Sequence, residues 1–102
     1  TACQQCAGNL IAKTTNGDGS KEFQSDVTTV DRTTTTCASR TFLCDGDNAN
    51  IEINNGDGVI NDGDDGAVDE VARMTVVCNA AGDAWVEVRS GITITQAECA
   101  AG

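Results

Sequence analysis

The sequence has no histidine, no tyrosine and no proline, and only three aromatic residues, Phe23, Phe42 and Trp85. Each absence removes a class of function. Without His or Tyr, general acid–base catalysis lacks its usual players. With six cysteines paired, nucleophilic catalysis has no free thiol. The adjacent carboxylates Asp64-Asp65 and Asp69-Glu70 do not replace them, because a glycosidase needs two carboxyls about 5–10 Å apart across a cleft. No enzyme is expected. No apolar run approaches the ~20 residues of a membrane-spanning helix. No Asn-x-Ser/Thr acceptor for N-glycosylation occurs. Edge strands have no proline to protect them.

Positive charge is also scarce: six Lys and Arg face sixteen Asp and Glu, a net charge of −10. The stretch DGDNANIEINNGDGVINDGDDGAVDE, residues 45–70, holds nine carboxylates and no base, and the other seven acids and six bases leave 7 − 6, or −1. The acidity is therefore local. It argues against nucleic acid and anionic membrane as partners.

What the chain does have is sulfur. Cys3, Cys6, Cys37, Cys44, Cys78 and Cys99 sit in 102 residues, a length for one domain, residues 1–102, with a modest core. Zinc would need a second tight pair beside Cys3-x2-Cys6, and none exists. A thioredoxin-like motif would need a strand before Cys3. Three disulfides remain, each contributing about 2–4 kcal/mol, which implies an oxidising, secreted setting. An opening Thr1 agrees with a removed signal peptide. Six cysteines allow 15 connectivities, and sequence does not choose among them. Cys44 and Cys78 both end apolar strands, TFLC and MTVVC, and are expected to bridge two sheets; Cys3, Cys6, Cys37 and Cys99 would pair among themselves.

Two-residue alternation dominates: Met74/Val76/Cys78, Val86/Val88, Ile92/Ile94 and Ile51/Ile53. That period marks half-buried strands, and no sustained 3.6 period marks a helix. Asn16-Gly17 and Asn55-Gly56 tolerate the positive φ of hairpin turns. The region 79–83 reads as another hairpin and Ser90-Gly91 as a tight link. Strands are expected near 9–14, 21–24, 26–34, 40–45, 50–54, 67–78, 84–89 and 92–98. Seven to eight short strands at this spacing predict an all-β fold, a small disulfide-stapled antiparallel β-sandwich of immunoglobulin-like kind. Val27, Val30 and the threonines between them would form a strand open to pairing.

CQQCAGNL, the Cys37-x6-Cys44 spacing, the Gly/Asp-rich loop after IEIN, then MTVVCNAAGDAW and SGITITQAEC together resemble the six-cysteine extracellular domain of secreted nematode proteins of unknown function. The resemblance spans nearly the whole chain and implies a small, disulfide-bonded, secreted β-domain. It carries over no catalytic residue and no ligand.

The acidic loop is the candidate for calcium, which takes oxygen ligands at alternate positions around a turning glycine. Asn55, Asp57, Asn61, Asp62 and Asp64 are the proposed ligands. Aligning Gly58 with the glycine of an EF-hand loop puts Ile53 at the first ligand position, where it cannot ligate, so any site is irregular. The other readings are a solvated surface and a patch facing a basic partner. Trp85 suits core packing or a contact at an interface. Two functions follow. The first is a structural module that partners itself or other extracellular proteins in a fibre or matrix, by head-to-tail contacts or by strand addition, with residues 1–14 as a candidate donor. The second is a monomeric binding module whose loop 45–70 takes calcium or a basic protein, with no other cofactor.

Overall fold

The computed structural model describes every residue except Asp65, which removes one half of the Asp64-Asp65 pair from the account. The chain opens with two single-turn 3-10 helices, Ala2–Gln4 and Gly8–Leu10. Ten strands follow: β1 (Ala12–Thr14), β2 (Ser20–Lys21), β3 (Ser25–Thr29), β4 (Ser39–Asp45), β5 (Asn50–Ile53), β6 (Gly58–Asn61), β7 (Val71–Cys78), β8 (Trp85–Glu87), β9 (Thr93–Ile94) and β10 (Gln96–Ala100).

They form two sheets. One runs β1-β10-β5-β6, with β2 also on β10; the other runs β3-β4-β7-β8-β9. β1 lies parallel to β10, and the other pairings are antiparallel. The sandwich expected from the alternation is present. Its inner faces follow from the period of two: β4 and β7 bury every second residue, and Phe42, Cys44, Met74, Val76 and Cys78 meet Ile51, Ile53, Ala97 and Cys99 of the other sheet.

Several boundaries differ from expectation for physical reasons. β6 lies inside the acidic stretch, where Gly58 and Asn61 hide the pattern of Val59-Ile60. Residues 92–98 do not form one strand: β9 belongs to one sheet and β10 to the other, and the chain changes sheet at Thr95. Asn16-Gly17 joins two strands that both pair with β10 rather than with each other, so it is not a hairpin turn. Asn54-Asn55-Gly56 is one, with φ of 52°, 57° and 105° between the paired strands β5 and β6.

The disulfides are Cys3–Cys37, Cys6–Cys78 and Cys44–Cys99. The Cys44–Cys78 bridge expected from the sequence does not form. β4 and β7 are antiparallel neighbours in one sheet, with Cys44 opposite Ala72 and Ser39 opposite Val77. Two cysteines that each close such a strand lie at opposite ends of it. The inter-sheet bridge is instead made by Cys44 with Cys99 on β10.

Candidate assembly surfaces

Two regions carry the unusual chemistry: an edge strand, and the acidic end of the sandwich. β3 is the edge. It pairs with β4 through Ser25–Leu43 to Thr29–Ser39, and its other side faces outward. Val27, Thr28 and Thr29 are exposed, Val27 at 57%.

A buried ion pair fixes this edge. Arg40 on β4, 4% exposed, donates from Nε and Nη2 to the two oxygens of Asp26 on β3, 2.7 Å each, and from Nη1 to the Gly8 carbonyl at 2.9 Å. Its guanidinium lies 4.6 Å from the Phe42 ring centre and 5.6 Å from that of Trp85. Lys13 adds a third cationic contact to Asp26 at 2.9 Å. Burial pushes the Asp26 carboxyl up, but the hydrogen bonds and charges of Arg40 and Lys13 outweigh it and hold it below the ordinary carboxylate value. No composition argument finds a buried arginine. The available signal was that Arg40 shares the alternation phase of Phe42 and Cys44.

Trp85 is 1% exposed, and its Nε1 donates to the Ala7 carbonyl at 2.9 Å. Of the two readings of Trp85, its burial agrees with core packing and not with a contact at an interface. Its alternation partner Glu87 is a carboxylate, yet it too is buried, at 3%. Its carboxylate accepts the backbone N–H groups of Arg89 (3.0 Å) and Ser90 (2.9 Å). Burial raises the Glu87 pKa, and these hydrogen bonds with Arg89 and Ser90 bring it below its usual value.

The five proposed calcium ligands are not brought together. Asn55 and Asp57 lie in the turn before β6; Asn61, Asp62 and Asp64 lie at its far end. Three strand residues, Gly58, Val59 and Ile60, at about 3.3 Å rise each, stand between the two groups. The second group builds its own loop. Asp64 Oδ2 accepts the Asn61 N–H at 2.8 Å, and Asp62 accepts those of Asp69 (3.0 Å) and Glu70 (2.8 Å). Beside it, a hydrogen bond with Asp47 and that residue's charge raise the Glu70 pKa, with Asp62 adding to the effect. Among the described residues, no group of three or more His, Cys, Asp or Glu side chains is arranged to hold a metal ion.

A further carboxylate, missed in the sequence, organises loop 14–20. Glu98 accepts from Ser20 Oγ (2.5 Å), Thr14 Oγ1 (2.6 Å) and the N–H groups of Asn16 and Gly17 (3.0 Å each), which together hold its pKa down at about 2.

Residues 1–14, the expected donor strand, are engaged within their own domain. Cys3 and Cys6 are bonded to Cys37 and Cys78. Gln4 Nε2 lies 2.9 Å from the carbonyls of Asp31, Thr34 and Thr36. β1 is paired with β10.

Three disulfides in a small domain suggest an oxidising, extracellular environment, and no helix among the described residues is long and apolar enough to cross a membrane. Neither the curated proteins nor the solved structures contain a match to this chain. The family model of the C6 domain matches residues 6–99, from the second cysteine to the last. With that span and its sulfurs joined in three pairs, the chain belongs to the C6 domain family.

Proposed function

We propose that this chain is a secreted, non-enzymatic structural module that associates with copies of itself by sheet-edge addition. One observation carries the reading: β3 is a five-residue edge strand with Val27, Thr28 and Thr29 exposed. It contains neither Lys nor Pro, two of the devices that blunt such an edge, and its one inward-pointing charge, Asp26, is neutralised by Arg40 and Lys13. Main-chain donors and acceptors along an edge of this kind accept another strand without any specific side-chain pocket. The Asp26–Arg40 pair keeps β3 seated, so the edge is a rigid template. The non-enzymatic part of the reading is supported by how the acids are used: Asp26, Glu87 and Glu98 are each saturated by structural donors.

Light scattering and negative-stain microscopy at rising concentration test this, with Thr28→Lys as the variant. Lys at that exposed position places a charge on the edge. Growth in particle size for the parent chain and its loss in Thr28→Lys support the reading. A parent chain that stays monomeric at millimolar concentration removes it.

A second reading rests on the density of acids at one end of the sandwich, where Glu70 is hydrogen-bonded to Asp47 and donates its N–H to Asp62: a monomeric module whose acidic end takes calcium or a basic partner. Calcium binding only to the folded chain would raise the melting temperature at millimolar calcium without changing size; an unchanged melting temperature rules calcium out.

A further inference from the structure

Both lysines of the chain, Lys13 and Lys21, stand where the period of two asks for apolar side chains. Cross-strand partners share a face of a sheet. Lys13 pairs with Ala97 and Lys21 with Cys99, and both partners are fully buried inside the sandwich. The two lysines therefore take the inward phase, on β1 and β2, at the edge of their sheet. They come out at the open side of the sandwich, where Lys13 reaches Asp26 of β3 at 2.9 Å. A cleft of about 420 Å³ opens there, lined by Lys13, Thr15, Lys21, Glu22, Phe23 and Asp26.

The lining keeps donors free. Arg40 alone neutralises Asp26, with a hydrogen bond to each of its oxygens, so Lys13 is a surplus cation against it. Lys21 donates to the Asp45 carbonyl at 2.9 Å and stands 3.7 Å from its carboxylate. An ammonium carries three N–H donors, and the two side chains remain 48% and 43% exposed. The Thr15 hydroxyl and the Glu22 carboxylate are exposed and have no partner among the described residues. Phe23 supplies an apolar wall. Phe42 and Trp85 are core residues, so Phe23, half-buried and 5.2 Å from the Phe42 ring, is the aromatic side chain that reaches the surface.

We propose that this cleft binds a hexuronic acid unit of an extracellular glycan. The carboxylate of the sugar meets the two lysines, its hydroxyls meet Glu22 and Thr15, and its C–H face lies on Phe23. Each kind of group in the lining is then used. A neutral sugar leaves the ammonium groups without a counter-charge, and an aliphatic acid sets an apolar body against Glu22. The volume falls in the lower part of the ~300–1,000 Å³ range of small-ligand sites, enough for a pyranose ring. The net charge of −10 disfavours polyanionic chains, so the fitting ligand is one acidic unit among neutral ones. An open cleft with half-exposed lysines binds weakly, in the millimolar range. The inference rests on the secreted setting proposed above and not on self-association.

Titration of the isotope-labelled chain with methyl glucuronide, followed by amide chemical shifts at constant ionic strength, tests it. Saturable shifts are expected in residues 13–15 and 21–26. Methyl glucoside is the same ring without the charge, and cyclohexanecarboxylate is the charge without the hydroxyls. Both are expected to bind at least about tenfold more weakly. Lys21→Gln removes one ammonium at an exposed position and should weaken glucuronide binding by about tenfold, through loss of a charge-assisted hydrogen bond. Arg32→Gln removes the same charge at an exposed position outside the cleft and should leave binding unchanged. Amide spectra of the free variants verify their folds. Lysines that only blunt the β1–β2 edge predict no saturable shift up to tens of millimolar, and that result overturns the proposal. Equal binding of methyl glucoside or of cyclohexanecarboxylate, or an unaltered affinity in Lys21→Gln, overturns it as well.

Discussion

Replacing Arg40 or Asp26 singly is expected to cost far more than replacing both with apolar residues. Arg40 makes two 2.7 Å hydrogen bonds to Asp26 and one of 2.9 Å to Gly8, behind side chains that leave it 4% exposed. Removing one partner of a buried pair leaves the other charge uncompensated, at about 3–5 kcal/mol. Arg40→Met is expected near the lower end, because Lys13 still lies 2.9 Å from Asp26. Asp26→Asn is expected near the upper end, because Arg40 then keeps only the Gly8 carbonyl and two rings. Lys13→Ala should cost up to about 1 kcal/mol, since that side chain is 48% exposed and the pair is screened. The double variant Arg40→Met/Asp26→Leu should recover at least about 2 kcal/mol of the summed losses of Arg40→Met and Asp26→Leu measured singly. The assay is urea unfolding with disulfides intact, followed by Trp85 fluorescence, since its ring lies 5.6 Å from Arg40. The pair also has a pH signature. The folded Asp26 pKa is lowered from 3.8, so its stabilisation is full above that value and is lost as pH falls through the lower folded one. A cost below about 1 kcal/mol for Asp26→Asn, or strict additivity in the double variant, would refute the assignment of Arg40 as the residue that seats β3.

Three further outcomes are expected. Gly82 and Gly91 have matched φ of 75° and 74°, but a Cβ on Gly82 meets the Ala2 carbonyl whereas one on Gly91 meets open space. Gly91→Ala should therefore cost only the left-handed penalty of about 1–2 kcal/mol and Gly82→Ala clearly more, by thermal melting; equal costs would mean that the first 3-10 helix is not held against that turn. Removing Cys44–Cys99 opens a loop of 55 residues, against 34 for Cys3–Cys37. Loop entropy alone gives about 4.2 and 3.8 kcal/mol, and the complete burial of Cys44 and Cys99 adds a packing loss, so the Cys44→Ala/Cys99→Ala chain should melt first. Finally, Glu98 has its folded pKa lowered from 4.5 to about 2. Its stabilisation is complete above pH 4.5 and disappears as pH falls through about 2, so the melting-temperature difference between the parent chain and Glu98→Gln should close over that interval.

The strands were legible wherever one face is continuously apolar. β4, β5 and β7 announce themselves through TFLC, IEI and MTVVC, because a buried face forces the period of two. β6 did not, because its two apolar residues stand between a glycine and an asparagine in a stretch dominated by charge. The number of bridges was legible and their pairing was not. Pairing depends on which strands are neighbours in a sheet, and local sequence carries no record of that. The edge of β3 was visible in Val27 and its threonines, although Val30, expected in the same strand, lies beyond its end and packs against the core. The Asp26–Arg40 pair was not, since burial of a charge is decided by a partner on another strand. Acids used as loop anchors, Glu87 and Glu98, look in sequence like any other surface carboxylate.

The place of β10 has a consequence for biogenesis. It lies between β1 and β5 and also holds β2, yet it is the last strand made. Until residue 100 has been synthesised, that sheet has no middle, and β1 and β2 have no strand to pair with. The sulfurs follow the same timetable. Cys37 completes the first native pair early, whereas Cys6 waits for Cys78 and Cys44 for Cys99. A nascent chain thus presents Cys6 and Cys44 together as unmatched thiols, and a bond between them must be reshuffled before the sandwich closes.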